Sequence, residues 1–233
     1  MHVLLTATGN RPAAWAVCER LMMRQDFAHP IHWVVVDDGH DPQPITALRE
    51  GWAISVVRRR PFWREGQNTQ AQNLLAGLSI VSPTDKVAII EDDDWYATDW
   101  LSVVFAELES AELVGECEAR YYNIATRKGC QLLNKTHASL CSTALRGRAI
   151  ESLKTACARS PKFIDLELWR AHKDRRVFRG HRVVGVKGLP GRAGIGMGHS
   201  GHFNGNHDPN GELLKSWIGE DADLYEQVMK SRP

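Results

Sequence analysis

Four consecutive acids, Glu91-Asp92-Asp93-Asp94, follow the apolar run Val87-Ala88-Ile89-Ile90. A short β-branched run of that kind suits a strand buried on both faces of a parallel sheet, so the acids arrive at the strand's carboxyl end. Adjacent carboxylates repel one another and resist desolvation, and a cluster of them in such a place calls for a cation. Hard oxygen ligands favour Mg2+ or Mn2+, and such ions commonly neutralise a phosphate or diphosphate. The competing reading is a solvated acidic turn ahead of the helix that starts near Thr98.

Other reactive side chains stand at similar places. Thr8-Gly9-Asn10-Arg11-Pro12 follows the apolar run His2 to Ala7, and Asp37-Asp38-Gly39 follows Ile31 to Val36. The glycine-dense stretch from Lys187 to Asn210 carries His199, His202 and His207, three histidines within nine residues. Its glycines let the backbone approach a ligand closely.

The elements that must position these groups are legible in the pattern. Pro12 suits a first helical position, and Ala14, Val17, Cys18 and Leu21 then recur with helical spacing. Ala53 to Val57 reads as a third strand, and Ala71, Leu74, Leu75 and Leu78 as a second helix. Strands alternating with helices predict an α/β fold with a mostly parallel central sheet flanked by helices. Ligands of such sheets bind outside the carboxyl ends of the strands. Three polar tips, Thr8 to Arg11, Asp37-Asp38 and Asp92 to Asp94, are therefore predicted to share one crevice.

At 233 residues the chain holds one large domain, read here as 1–187, with 188–233 as a flexible Gly/His-rich loop and C-terminal helices closing over the active site. The net charge of +1 leaves nucleic-acid or membrane binding to local patches. Five scattered cysteines without a CxxC pair predict reduced thiols in the cytoplasm. No segment approaches the roughly 18 apolar residues of a membrane span, and no repeat is present.

The order Thr8-x-Asn10-Arg11-Pro12, Val34-Val35-Val36-Asp37-Asp38-Gly39, Gly66-x-Asn68, then Asp92-Asp93-Asp94-Trp95-Tyr96-x-x-Asp99 resembles the nucleotide-sugar domain of GT-A glycosyltransferases, closest to family 2. Ala138 to Arg146 resembles that family's later strand leading into a helix. Ile164-Asp165-Leu166-Glu167-Leu168-Trp169-Arg170 is similar to its Glu-Asp-x-Asp-Leu-Trp-x-Arg segment, with Ile164 in place of the first glutamate. The match covers roughly residues 2 to 187.

The resemblance implies a single GT-A (Rossmann-like) domain and metal-dependent transfer of a sugar from a UDP-sugar, UDP-glucose or similar, to an acceptor hydroxyl. Asp38 or its neighbour Asp37 would accept a hydrogen bond from uracil, and Thr8, Asn10, Arg11, Gly66 and Asn68 would line the nucleotide pocket. Asp92 and Asp94 would be the Asp-x-Asp pair, with Asp94 on Mn2+ or Mg2+ directly and Asp92 nearer the ribose. Asp93 would face away or touch the sugar, and Asp99 reads as a helix N-terminal charge. Asp165 would be the general base, with Glu167 as its rival. His199 or His202 would complete the metal shell, since His202-Phe203-Asn204-Gly205 is similar to the His-Phe-x-Gly block of a retaining family of this fold. Lys187 and Arg192 would meet phosphate.

The chain also resembles small phage-encoded glycosyltransferases with an Asp-Asp-Asp-Trp-Tyr core, which implies a 5-hydroxymethylpyrimidine in DNA as acceptor. The base would have to leave the stack, and the basic stretches 58–64 and 173–182 could follow a phosphate backbone. The alternatives are a saccharide or small-metabolite acceptor, or a non-catalytic nucleotide or nucleic-acid binding module. A nucleotidyltransferase would carry a Gly-rich loop after the first strand, where Thr8 to Pro12 has one glycine.

Overall fold

Each apolar run read above is a strand: β1 (His2–Thr8), β2 (Ile31–Asp37), β3 (Trp52–Arg58) and β4 (Lys86–Ile89). The computed structural model describes residues 1–47, 49–194, 197–199 and 203–230. With β6 (Leu113–Glu116), β9 (Thr143–Arg146) and β10 (Arg175–Phe178) these strands form a seven-stranded sheet of order β10-β6-β9-β4-β1-β2-β3. β9 runs antiparallel to both neighbours, and every other pairing is parallel.

The sheet is apolar on both faces because helices cover both. Alternate residues of a strand point to opposite faces. Leu4, Trp33 and Val35 accordingly join one core with Trp15 of α1 (Pro12–Met23) and Trp100 of α3 (Trp100–Glu107). Val3, Leu5, Val34 and Val36 join a second core with Leu74 and Leu78 of α2 (Gln70–Leu78), Leu153 of α4 (Arg148–Arg159) and Trp169 of α5 (Ile164–Ala171). Gly77 lets α2 lie close to the sheet: a Cβ there would stand 2.3 Å from Leu5 Cδ1 and 2.9 Å from Val36 Cγ2.

A second, five-stranded sheet has the order β12-β8-β7-β11-β5. Its members are β5 (Trp95–Tyr96), β7 (Glu118–Asn123), β8 (Lys128–Leu133), β11 (Val183–Lys187) and β12 (Asn206–His207). β5 begins directly after the acid run and pairs antiparallel with β11, Val184 opposite Trp95. That pairing carries the end of β11 alongside the acids. The buried Glu116 holds the entry to β11, its Oε2 accepting from the amides of Arg182 (2.8 Å) and Val183 (3.2 Å).

The C-terminal stretch ends in α6 (Glu212–Ile218) and α7 (Ala222–Lys230). Leu214, Ile218, Ala222 and Tyr225 are buried in the same core as Trp15 and Trp100. Asp221, between the helices, accepts from Arg24 at 2.6 and 2.7 Å and from Trp95 Nε1 at 2.8 Å. Among the described residues no helix is long and apolar enough to cross a membrane.

Candidate functional site

The three polar strand tips meet. Thr8 Oγ1 donates to Asp92 Oδ2 at 2.7 Å, joining the ends of β1 and β4. The amide of Asp38 donates to the carbonyl of Thr8 at 3.2 Å, joining the ends of β1 and β2. Gly9 makes the closeness possible: its φ is +146°, and a Cβ there would lie 2.4 Å from Asp38 Oδ1. Asn10 follows in the left-handed region, φ 55°, its Oδ1 accepting from the amide of His40 at 3.0 Å.

Two cations sit on the acid cluster. Arg11 Nη1 donates to Asp92 Oδ1 at 2.6 Å, and its Nη2 to Asp93 Oδ2 at 2.7 Å. Lys187, the last residue of β11, donates to Asp94 Oδ1 at 2.8 Å, and its ammonium lies 3.3 Å from Glu91 Oε2 and 3.5 Å from Asp93 Oδ1. Lys187 is therefore a counter-charge for the acids, where the sequence predicted a phosphate contact. The amide of Val186 completes the grip on Asp94 Oδ1 at 2.9 Å. Asp94 is fully buried, and its Oδ2 has no hydrogen-bond partner.

Four carboxylates face Arg11 and Lys187, so the fully ionised cluster carries a surplus of 4 − 2 = 2 negative charges, which burial opposes. Burial drives the Asp94 carboxyl well above the usual range and raises Asp92, with Lys187 and Arg11 pulling each back. At Asp93 burial is outweighed by Arg11 and Lys187, which hold it low. Burial disfavours the Lys187 ammonium, but Asp93, Asp94 and Glu91 keep it charged.

Two carboxylates of the cluster, Glu91 and Asp94, suit a hard divalent ion. Ligand atoms of Glu91, Asp94 and Cys141 lie within 4.8 Å of one another, Asp94 Oδ2 is unclaimed, and a dication balances the surplus. Cys141 is the misfit: burial raises its thiol well above the ordinary value, so it stays protonated beside Asp94, and hard cations prefer oxygen.

Asp92 and Asp93 both turn into the cluster and share Arg11. Asp92 has one oxygen on Thr8 and the other on Arg11, and so positions Arg11. Asp93 does not face away: its Oδ2 lies 3.7 Å from His199 Nε2. Burial, with Lys187 nearby, lowers His199 to about 4, which leaves the ring neutral at pH 7 and able to ligate. His202 lies outside the described residues, and His207 is exposed on β12.

At the tip of β2 the two aspartates divide their work. Asp37 closes its own turn, accepting from the amides of Gly39 and Gln43, both at 2.8 Å, and from Arg58. Asp38 is fully buried; its Oδ2 accepts from Thr69 and from Arg59 (3.0 Å), and its Oδ1 from Arg192 Nη1 at 2.6 Å. Burial disfavours the Asp38 carboxylate, but Thr69, Arg192 and Arg59 outweigh it and lower its pKa. Arg192 was expected on phosphate. It instead donates to Asp38 and Thr69 and lies over Trp63, 4.7 Å from the ring centroid.

Gly66 has φ +80° and open space around its Cα. Asn68 lies two residues ahead of α2, accepting from the amide of Gln70 at 3.2 Å and donating to the carbonyl of Pro161 at 2.9 Å. The contact from this region to the acids comes from the first residue of α2: Gln70 Nε2 donates to Glu91 Oε1 at 2.8 Å. Asp165 stands in the first turn of α5, accepting from the amide of Leu166 at 2.8 Å. Burial raises its carboxyl, and the charge of Glu91 adds to the rise. Glu167, two residues on, projects from another side of the helix. Asp99 precedes α3 and accepts from Arg182 Nε at 2.8 Å.

No protein-family model and no curated protein sequence matches the chain. Solved structures do. S. aureus TarS 1–349 in complex with UDP-GlcNAc aligns at 14% identity and TM-score 0.59, over 86% of this chain and 61% of that one. TarS 1–349 in complex with UDP aligns at 12% and 0.58, over 79% and 60%. The mannosyltransferase PcManGT from Pyrobaculum calidifontis, in complex with GDP-Man and Mn2+, aligns at 17% and 0.51, over 81% and 57%. The fold is that of the GT-A glycosyltransferases. The chain spans about three fifths of the length of TarS 1–349 and of PcManGT.

Proposed function

We propose that this chain transfers a glycosyl group from a nucleoside-diphosphate sugar, a UDP-sugar first among them, to an acceptor hydroxyl with the help of Mn2+ or Mg2+. One observation carries the reading: the tips of β1, β2 and β4 close on a buried cluster of four carboxylates faced by two cations, with one carboxylate oxygen of Asp94 left without a hydrogen bond. The nucleotide sugars and Mn2+ bound by the similar structures agree with it.

Asp94 and Glu91 would hold the ion, with Asp93 and His199 beside them. When bound, the ion supplies positive charge to the departing diphosphate. The chain's own residues do the rest. Asp38 presents an acceptor for the base, and Thr8 fixes Asp92, which fixes Arg11. The Asp165 carboxylate takes the proton of the acceptor hydroxyl as its oxygen bonds to the anomeric carbon and the bond from that carbon to the diphosphate oxygen breaks. A raised pKa makes Asp165 a stronger base in its ionised form. Hexose specificity follows from the resemblance, not from a contact in the site.

For the acceptor, a saccharide or small hydroxyl compound fits better than DNA. The stretch 58–64 follows β3 and the stretch 173–182 contains β10, at opposite edges of the seven-stranded sheet. Several of their arginines already have acidic partners: Arg58 on Asp37, Arg59 on Asp38, Arg176 on Glu107, Arg179 on Glu118 and Arg182 on Asp99. The five free thiols, four of them buried, go with a reducing, cytoplasmic setting.

The test is incubation with UDP-glucose, UDP-GlcNAc and GDP-mannose in Mn2+, with saccharides, small alcohols and hydroxymethylated DNA as acceptors. Nucleotide release and acceptor mass shift are read together. Turnover that chelator abolishes supports the proposal. UDP binding with no turnover on any donor would replace it with a non-catalytic nucleotide-binding module.

A further inference from the structure

We propose that the guanidinium of Arg192 occupies the seat of the donor's nucleobase, stacked on Trp63 and bonded to Asp38, so that a nucleotide binds by displacing it. The inference rests on the nucleotide-sugar reading above, which gives Asp38 to the base, and adds a plug to that seat.

The geometry is that of a base without its nucleotide. A flat group lies 4.7 Å from the centroid of Trp63, and its edge turns an N–H onto Asp38 Oδ1 at 2.6 Å. A second N–H of the same edge meets Thr69 Oγ1. The two oxygens of Asp38 are not equivalent. Oδ2 is committed to Arg59 and Thr69, which the adjoining loop and the start of α2 supply. Oδ1, against which Gly9 packs, receives Arg192. Withdrawing Arg192 leaves a buried carboxylate oxygen without a donor beside an exposed aromatic face, and an unpaired buried acceptor is costly.

The ligand class follows from what that oxygen accepts. Uracil presents a ring imide N–H, and guanine a ring N–H with an adjacent amino group, so both can donate to a carboxylate while stacked. Adenine and cytosine place a ring-nitrogen lone pair beside their amino group, which a carboxylate repels. The subsite therefore selects uracil and guanine nucleotides.

The plug is built to leave. Arg192 is flanked by Gly191 (φ +99°) and Gly194, where the backbone has a glycine's conformational freedom. Its amide holds Asn10 O at 3.3 Å. Lys187, one residue before Gly188, is paired in β11 opposite Asn123 of β7 and stays with the acids. Leu189 is buried in the core with Trp15 and Trp100, so the pivot falls after it, at Gly191.

A plug in place nine-tenths of the time weakens apparent affinity about tenfold. Calorimetric titration of UDP into the wild type, Arg192→Ala and Arg192→Gln is expected to show both variants binding about tenfold tighter. GDP should gain likewise, with ADP and CDP weak on all three proteins. In the wild type, saturating UDP should speed hydrogen exchange at the Arg192 amide, a readout that needs no variant. Equal or weaker UDP binding by both variants, or slowed exchange at Arg192, overturns the plug while leaving the nucleotide reading intact. ADP or CDP binding as tightly as UDP overturns the base selection. No nucleotide binding by any of the three overturns this inference and the reading beneath it together.

Discussion

Replacing Lys187 with methionine keeps most of the side chain's length and removes one charge from the centre of the acid cluster. With every carboxylate ionised, the wild type sets Arg11 and Lys187 against Glu91, Asp92, Asp93 and Asp94, a surplus of 4 − 2 = 2, and the variant would carry 4 − 1 = 3. Removing one partner of a buried ion pair costs about 3–5 kcal/mol, because the other charge stays buried and uncompensated. At about 2–4 °C per kcal/mol for a chain of this size, the melting midpoint should fall by roughly 6–20 °C. The loss must also respond to protons and to metal. Burial already raises Asp94 and Asp92, and removing Lys187 raises Asp94 further. The folded variant then binds more protons than the unfolded chain, so its stability falls as pH rises from 5.5 to 8. Mn2+ offers the other relief: at a hundredfold excess over its Kd it restores about 2.7 kcal/mol. Thermal unfolding of both proteins at pH 5.5 and 8, in EDTA and in Mn2+, measures all three effects. A Lys187→Met protein within about 1 kcal/mol of wild type at pH 8 in EDTA would refute the charge accounting. A variant that Mn2+ leaves unchanged would refute the fit to a divalent ion.

Asp165→Asn should lower kcat by about 10²–10⁴ while UDP affinity, read by calorimetry, stays put; lost UDP binding would assign Asp165 to the donor instead. Burial lifts Glu116 from 4.5 to about 7, so between those pH values the folded chain keeps a proton that the unfolded chain has released. Glu116 should therefore contribute a fall of up to about 3 kcal/mol across that window, and Glu116→Gln should remove that share of the slope in urea titrations, leaving the part due to Asp92 and Asp94. Gly115→Ala would put a Cβ 2.4 Å from that of Ala138 and 2.8 Å from the Ser142 carbonyl. It should cost about 1–3 kcal/mol by urea unfolding, and an unchanged midpoint would show that β6 can shift away from its neighbours.

Local pattern carried the first half of this chain. β1 to β4, α1 and α2 were legible because buried strands and amphipathic helices write their periods into consecutive residues. The crevice at their carboxyl ends followed from the parallel alternation, and Thr8, Asp38 and the acid run were found from it. The second sheet was not legible. β7 and β8 interleave Arg120, Lys128 and Gln131 with apolar residues, and β5 and β12 are two residues long.

The sequence alone determined which groups could do chemistry and at which end of the sheet they stand, because strand direction and burial are local properties. It could not determine which acid faces which cation, because a turn after a strand no longer alternates in a known direction. Lys187 and Arg192 lie 93 and 154 residues from their partners Asp94 and Asp38. Tertiary structure alone set those two cations on the carboxylates, because a charge announces its sign in the chain but finds its partner only where distant strands come together.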